Sequence, residues 1–384
     1  MRILSVHNEY QIRGGEDECF KAENELLQKM GHQVEVYTQH NKRITEFNKL
    51  QATIKTIWSS EAYQAVQSYL QKSKCDLMHV QNFFPLISPS VYYAAKAEKV
   101  PVVQTLHNYR LLCPNALFFR EGKVCEDCLG KIPLPGVQHG CYRESKATSA
   151  VVASMLTIHH KAQTWNKMVD CYVALTEFAR QKFIEGGLPA EKIVVKPNFI
   201  APDPGVGEGK GGYALFVGRL SVEKGLDTLL AAWELIGSKM PLKIIGDGQL
   251  SGLVAQMVEQ LPNVQWLGRK GLAEVYTLIG EATVLIFPSK WYETFGRVAI
   301  EAFAKGTPVV AANIGAIAEL VDNGRTGIHF RPGDALDLAD KIEWVITHPT
   351  ELAHMRREAR AEFEQKYTAK ENYRQLMEIY KRVC

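Results

Sequence analysis

The sequence predicts an α/β protein built from two doubly wound domains with a cleft between them. Three observations point there. Short β-rich runs alternate with helix-length segments along the whole chain, the pattern of parallel strands joined by crossover helices. A Pro- and Gly-rich stretch, PNFIAPDPGVGEGKGG at 197–212, interrupts the alternation, which then restarts, as at a linker. The length of 384 residues also favours two cores, since single cores rarely grow beyond about 250–300 residues.

In order along the first domain (1–200), strands are expected at RILSV (2–6), QVEVYT (33–38), DLMHV (76–80), VVQTL (102–106), CYVAL (171–175) and KIVVK (192–196). Helix-length segments such as 16–30 and 87–98 lie between them. In the second domain (201–366), strands are expected at YALFV (213–217), LKIIG (242–246), VQWLG (264–268), TVLIF (283–287), PVVAA (308–312) and GIHF (327–330). Helices fit 222–236, 249–260, 272–280, 297–305, 315–322 and 335–346, and two more patterns, 350–365 and 368–383, close the chain.

Composition narrows the function. Lys plus Arg exceed Asp plus Glu by only three, so the chain lacks the basic excess of a nucleic-acid binder. The apolar run at the start is too short for a signal peptide, and no segment reaches the roughly 18 apolar residues of a membrane span. The expectation is a cytoplasmic, soluble protein, with a peripheral contact at the inner face of a membrane left open. Eight cysteines in a chain this long do not make a secreted disulfide scaffold.

The stretch KWYETFGRVAIEAFAKGTPVV (290–310) carries the chemistry. Its loop follows the strand TVLIF and opens a helix that ends at Gly306. Ligands of open α/β sheets sit beyond the carboxyl ends of strands, and a helix N-terminus attracts anions. Gly296 lets a phosphate approach the backbone. Glu293 lies in the loop, and Glu301 lies eight residues on, among apolar neighbours. A buried carboxylate needs donors, and the two hydroxyls of a ribose supply them. The alternative ties Glu301 to a nearby Arg or backbone group and leaves Glu293 solvated. In FVGRLSVEKGLDTLL, Arg219 follows a strand and Lys224 stands at a helix start; both could neutralise a diphosphate. The alternative for these two is a surface ion pair. There is no Asp-x-Asp to hold a metal for that task, so no cofactor is expected for catalysis. GDGQL (246–250) is a tight turn at Gly246, a weak signal alone. Gly14-Gly15 in EYQIRGGEDE lets N–H groups face a phosphate or sugar, though G-x-G-x-x-G is missing. His107 ends the strand VVQTL, where a structural role is the common one.

The Glu293-x7-Glu301 spacing, the Phe-Gly between the glutamates and the following EAFAKGTPVVAANIGAIAELV resemble family-4 retaining glycosyltransferases, enzymes of two Rossmann-like domains (GT-B). The resemblance covers essentially the whole chain and is strongest from 213 to 330. It implies that Glu293 binds the sugar of a nucleotide-sugar donor and Glu301 its ribose. It implies that backbone amides around Thr294, Phe295, Gly296 and Arg297 hold sugar and diphosphate. It assigns Arg219 and Lys224 to the diphosphate, LGRK, with Arg269 and Lys270, to the base, and Gly14-Gly15 to the diphosphate as well. It assigns His107 to the donor sugar near the reacting carbon, as a positioning and electrostatic group rather than a base. The favoured family mechanism is front-face attack, in which the departing phosphate oxygen takes the acceptor proton. The resemblance also implies that the last helix (367–384) returns to the first domain, and that the donor is UDP-linked.

Beside His107, Cys113, Cys125, Cys128 and Cys141 fall in LLCPNALFFREGKVCEDCLGK…HGCYRES, where Cys125-x2-Cys128 reads as a zinc half-site. A loop of roughly forty residues is too long to stay ordered without support, and a structural zinc would give it a core. Reduced cysteines packed as small apolar residues are the alternative. The segment 149–168 reads as a helix whose apolar side is either core or an interfacial patch that meets a lipid-linked acceptor. The sequence therefore leads to transfer of a sugar to a hydroxyl of a glycan or lipid-linked acceptor in surface polysaccharide synthesis. An epimerase or phosphorylase on the same fold, or a non-catalytic sugar-nucleotide scaffold, are the rivals.

Overall fold

The computed structural model describes residues 1–11 and 14–384. Two compact units emerge. The first holds Met1–Phe118, Glu126–Asn198 and Asn372–Cys384; the second holds Phe119–Cys125 and Phe199–Glu371.

The first unit contains β1 (Arg2–Glu9), β2 (Gln33–His40), β3 (Leu77–Asn82) and β4 (Val102–Thr105). After the hairpin strands β5 (Phe119–Arg120) and β6 (Lys123–Val124), which are grouped with the second unit, come β7 (Cys171–Ala174) and β8 (Ile193–Val195). The sheet runs β2-β1-β3-β4-β7-β8, and every pairing in it is parallel. Strands β3, β4 and β7 are buried along their whole length, although β3 (LMHVQN) and β4 (VVQT) carry polar residues that must find partners inside. Ile3, Leu77, Val103 and Val173 from the sheet pack with Leu27 of the helix Gly15–Lys29 and with Leu376, Ile379 and Tyr380 of the C-terminal helix.

The second unit contains β9 (Ala214–Val217), β10 (Leu242–Ile245), β11 (Val264–Trp266), β12 (Val284–Phe287), β13 (Val309–Ala312) and β14 (Gly327–Phe330). Their order is β11-β10-β9-β12-β13-β14, again parallel throughout. Trp233, Leu229 and Leu230 from one helix and Leu338 and Ile342 from another close over Ile244, Ile286 and Val310. Each sheet reverses its strand order once, between β1 and β3 in the first and between β9 and β12 in the second. Ligands of such sheets bind at those reversals, beyond the strand carboxyl ends.

All twelve expected runs lie in strands of these sheets. Three helix starts differ by three residues or more; the helix expected from 87 begins at Ser90. The helix expected from 222 begins at Leu226; Val222–Lys224 form a single 3₁₀ turn, because Gly225 takes a left-handed conformation at φ 71° and ends it. The helix expected at 149–168 begins earlier, at Lys146, where Ser145 Oγ accepts from the Thr148 N–H. It ends at Lys161, and a short second helix, Thr164–Lys167, follows the left-handed Gln163.

Candidate active site

In the second unit, the loops after β9 and β12 meet at the reversal of strand order. Glu293 is buried there, and its Oε1 accepts from Lys224 Nζ at 2.5 Å, Ser289 Oγ at 2.9 Å and Trp291 Nε1 at 2.9 Å. Three donors, one of them charged, converge on a single oxygen of this carboxylate. The Lys224 ammonium also lies 5.7 Å from the Phe287 ring centre and 5.5 Å from that of Trp291, within cation–π range. Glu293 is thus neither solvated nor isolated. Ser289 and Trp291 were not singled out from the sequence; their signal is their place four and two residues before Glu293 in the loop that follows a buried strand.

Gly296 caps the next helix, Arg297–Ala304, at φ 111°, a conformation that strongly favours glycine. A Cβ there would stand 3.1 Å from Ile317 Cδ1. The helix begins here at the strand end, and the N–H of Ala299 in its first turn donates to the Gly296 carbonyl at 2.9 Å; a helix N-terminus at such a place favours anions. Phe295 is buried, and Thr294 and Arg297 are half-buried. Glu301, inside the helix and buried, accepts from Arg297 Nε at 3.0 Å across one turn. The sequence alternative of a nearby arginine partner therefore describes one oxygen of Glu301.

Around that pair lie the other donor-side candidates of the second unit. Arg219 is exposed directly after β9. Gly246 follows β10 at φ 140°, and a Cβ there would lie 1.8 Å from the carbonyl oxygen of Gly218, so only glycine lets these two strand-end loops touch. Its N–H donates to the Gly268 carbonyl, which ties in the loop after β11. Arg269 is exposed in that loop, and Lys270 is held by Glu274 at 2.8 Å. The structure thus gathers Lys224, Glu293, Gly296 and Glu301 around one loop and helix start, with Arg219 and Gly246 on neighbouring strand ends.

In the first unit, Gly14 precedes the helix Gly15–Lys29, and its N–H donates to Asp17 Oδ2 at 2.9 Å. Gly14 has φ −129°, and an added Cβ would meet nothing within 4 Å, so neither conformation nor packing demands glycine here. Glu16, in the first turn, accepts through Oε2 from Tyr10 OH and Asn108 Nδ2, both at 3.1 Å, while its buried Oε1 has no hydrogen-bond partner among the described residues. Burial is the largest influence on this carboxyl and pushes its pKa up to about 7. His107, next to Asn108, pairs through Nε2 with Gln81 Oε1 at 2.6 Å. Its pKa is pushed down to about 3, mainly by burial, so the imidazole is neutral at physiological pH.

The cysteine loop departs from the four-thiolate expectation. Among the described residues no group of three or more His, Cys, Asp or Glu side chains is placed to hold a metal ion. The Cys113 thiol faces Asn115 Oδ1 at 2.9 Å. What orders this part of the first unit is an apolar centre. Tyr109 and Phe118 are fully buried, with ring centres 4.9 Å apart, and Tyr109 also packs on Phe183. That apolar centre gives the loop a core of buried side chains.

The sequence pattern of Glycosyl transferases group 1 matches residues 204–362, and that of Glycosyltransferase Family 4 matches residues 24–204. The glycogen synthase of Mycobacterium tuberculosis is 31% identical over 219 residues, 52% of this chain and 51% of that one. The chain thus spans about half the length of curated relatives such as this. An uncharacterized 42.6 kDa protein in the cps region of Klebsiella pneumoniae is 26% identical over 355 residues, 83% of this chain and 86% of that one. The crystal structure of Anabaena Alr3699/HepE in complex with UDP-glucose covers 100% of both chains, with a TM-score of 0.70 and 20% identity.

Proposed function

Because the chain belongs to the family-4 glycosyltransferases, with their GT-B fold, we propose that it moves a sugar from a UDP-linked donor to a hydroxyl of a glycan or lipid-linked saccharide, with retention at the transferred carbon. The observation that carries this is the Glu293 carboxylate, gripped by Lys224, Ser289 and Trp291 beside a glycine-opened helix start at the strand-order reversal. Lys224 and Arg219 stabilise the departing diphosphate, and N–H groups of Thr294–Arg297 bind its oxygens. Glu293 accepts from sugar hydroxyls and Glu301 from the ribose diol. The leaving phosphate oxygen takes the proton of the attacking hydroxyl, so the O–H and sugar–phosphate bonds break as the new glycosidic bond forms on the same face.

The UDP-glucose bound by the Anabaena structure and the polymer named for the mycobacterial relative support a UDP donor and a glycan acceptor. A lipid-linked acceptor in surface polysaccharide synthesis draws support from one face of the first unit. There Ile132, Leu134 and Ile158 are exposed near Lys131 and Lys161, a mix suited to an anionic membrane surface. No helix among the described residues is long and apolar enough to cross a membrane.

The test is mass spectrometry of products from a panel of nucleotide sugars with lipid-linked and soluble acceptors, run with the wild type and Glu293→Ala. A glycoside product with the anomeric configuration of the donor, lost in the variant, is expected. Near-normal turnover by Glu293→Ala would remove the assignment.

A further inference from the structure

The cysteine-rich segment of the first unit, which the reaction as described leaves without a task, forms one wall of a cavity of about 290 Å³. All the residues that line it belong to that unit. Its floor is apolar: Leu112, Cys128, Leu156 and Trp165 are each less than a tenth exposed. Its rim is basic: Lys131, His160 and Lys161 line it and are all exposed. Among the described residues no Asp or Glu lines it. Of the acids beside it in sequence, Glu126 and Glu185 are both held by Lys182, at 2.9 and 2.8 Å, and Asp127 lies outside the lining.

Both walls follow from local sequence. On the helix Lys146–Lys161, Leu156, Thr157, His160 and Lys161 share one face, which runs from buried Leu156 to exposed Lys161. On the other wall Gly130 turns the chain at φ 65°, and the Lys131 N–H donates to the Cys128 carbonyl at 3.2 Å. Gly186 leaves the room that Leu112 fills, since a Cβ there would stand 2.2 Å from Leu112 Cδ2. An apolar floor beneath ammonium groups selects its occupant. A saccharide would lose the water on its hydroxyls over that floor and gain no hydrogen bonds in return. A free phosphate would meet the rim and leave the floor uncovered. A hydrocarbon chain that ends in phosphate meets both.

We propose that this cavity binds the phosphate and the adjoining hydrocarbon of a lipid-linked acceptor, with Lys131 and Lys161 on the phosphate and the chain against Leu112, Leu156 and Trp165. The proposal rests on the lipid-linked reading of the acceptor above and deepens it by naming the cavity that takes the chain. Ile132, at the rim and 64% exposed, extends the apolar path outward, as a chain drawn from a bilayer requires.

The experiment is titration calorimetry of the whole protein with n-alkyl phosphates of increasing length, below the concentrations at which they form micelles. Each methylene that enters should tighten binding about fourfold until the cavity is full. Octyl glucoside and inorganic phosphate, which carry only the chain or only the anion, should each bind about tenfold more weakly than octyl phosphate, or worse. Lys131→Glu combined with Lys161→Glu, both at exposed positions, should weaken octyl phosphate by about tenfold or more. Thr157→Trp should fill the cavity and abolish binding; should it fail to fold, the exposed double variant decides. Affinity that ignores chain length, equal affinity for octyl glucoside and octyl phosphate, or full affinity in the double variant would each overturn the proposal. So would binding to phosphatidylglycerol vesicles without binding of monomeric octyl phosphate, the mark of a surface contact rather than a chain in a cavity. These titrations need no sugar transfer, so they judge the cavity even where no donor is turned over. Octyl phosphate binding alongside products from soluble acceptors alone would overturn the acceptor reading and leave a lipid-phosphate site.

Discussion

Replacing Lys224 with Met tests whether the grip on Glu293 is the energetic centre of the second unit's site. At 2.5 Å and an effective dielectric of about 20, the attraction between the two charges is roughly 7 kcal/mol, most of it offset by the water both ions lose. Removing one partner of such a pair leaves the other charge buried and uncompensated, which costs about 3–5 kcal/mol. Here Ser289 Oγ and Trp291 Nε1 still donate to the same oxygen, so Lys224→Met should sit at the low end, about 3 kcal/mol. Glu293→Gln is the opposite experiment. Lys224 has 18% of its side chain in solvent against 9% for Glu293, and can rehydrate once its partner is neutral. The Gln carbonyl still accepts from Ser289 and Trp291, so the loss should be near 1 kcal/mol. Urea unfolding of both variants measures this, and the two midpoints should separate by about 2 kcal/mol in the stated order. UDP titration by calorimetry completes the test, since Lys224→Met should also weaken the nucleotide whereas Glu293→Gln should spare it. Equal destabilisation, or a larger loss for Glu293→Gln, would refute the claim that a desolvated carboxylate is the group at risk.

Three further outcomes are expected. Gly296→Ala forces a Cβ into a left-handed cap and to within 3.1 Å of Ile317 Cδ1, so thermal unfolding should show a loss of about 1–2 kcal/mol together with weaker donor binding. Gly14→Ala meets nothing within 4 Å, so stability should stay within about 0.5 kcal/mol while the donor KM rises if that backbone faces the diphosphate; an unchanged KM would remove Gly14 from the site. Glu16, whose pKa is raised from 4.5 to about 7 mainly by burial, holds a proton in the folded state that the unfolded chain has lost between those values, so its contribution to stability falls as pH rises through that window. Glu16→Gln should cancel that slope and gain up to about 3 kcal/mol on the wild type above pH 7; melting curves that stay parallel from pH 4 to 8 would count against it.

What could be read in the sequence follows from how far each cause reaches along the chain. The strands were legible because burial on both faces writes continuous apolar runs, as in Leu285, Ile286 and Phe287 of β12. The Glu293 loop was legible because its loop, glycine cap and second glutamate sit within ten residues. The partnership of Lys224 with Glu293 spans 69 positions and needed the reversal between β9 and β12, which no local pattern states. The support of the cysteine loop was hidden for a similar reason. Its support comes from Phe183 packing on Tyr109, far along the chain, so the loop looked unsupported and a metal looked necessary.

The buried network around Gln81 lies at the other limit. His79 and Gln81 stand two apart on one face of β3, polar positions alternating with Met78 and Val80, and Asn82 ends the strand. That alternation could have marked them, since a polar side chain in a fully buried strand must find a partner. Which partner depends on Glu23 and Lys196, 58 positions before Gln81 and 173 positions after Glu23. Only the sheet order β2-β1-β3-β4-β7-β8, with its helix Gly15–Lys29, assembles all three. The motif residues thus follow from local sequence, and the fold supplies the distant partners that surround them.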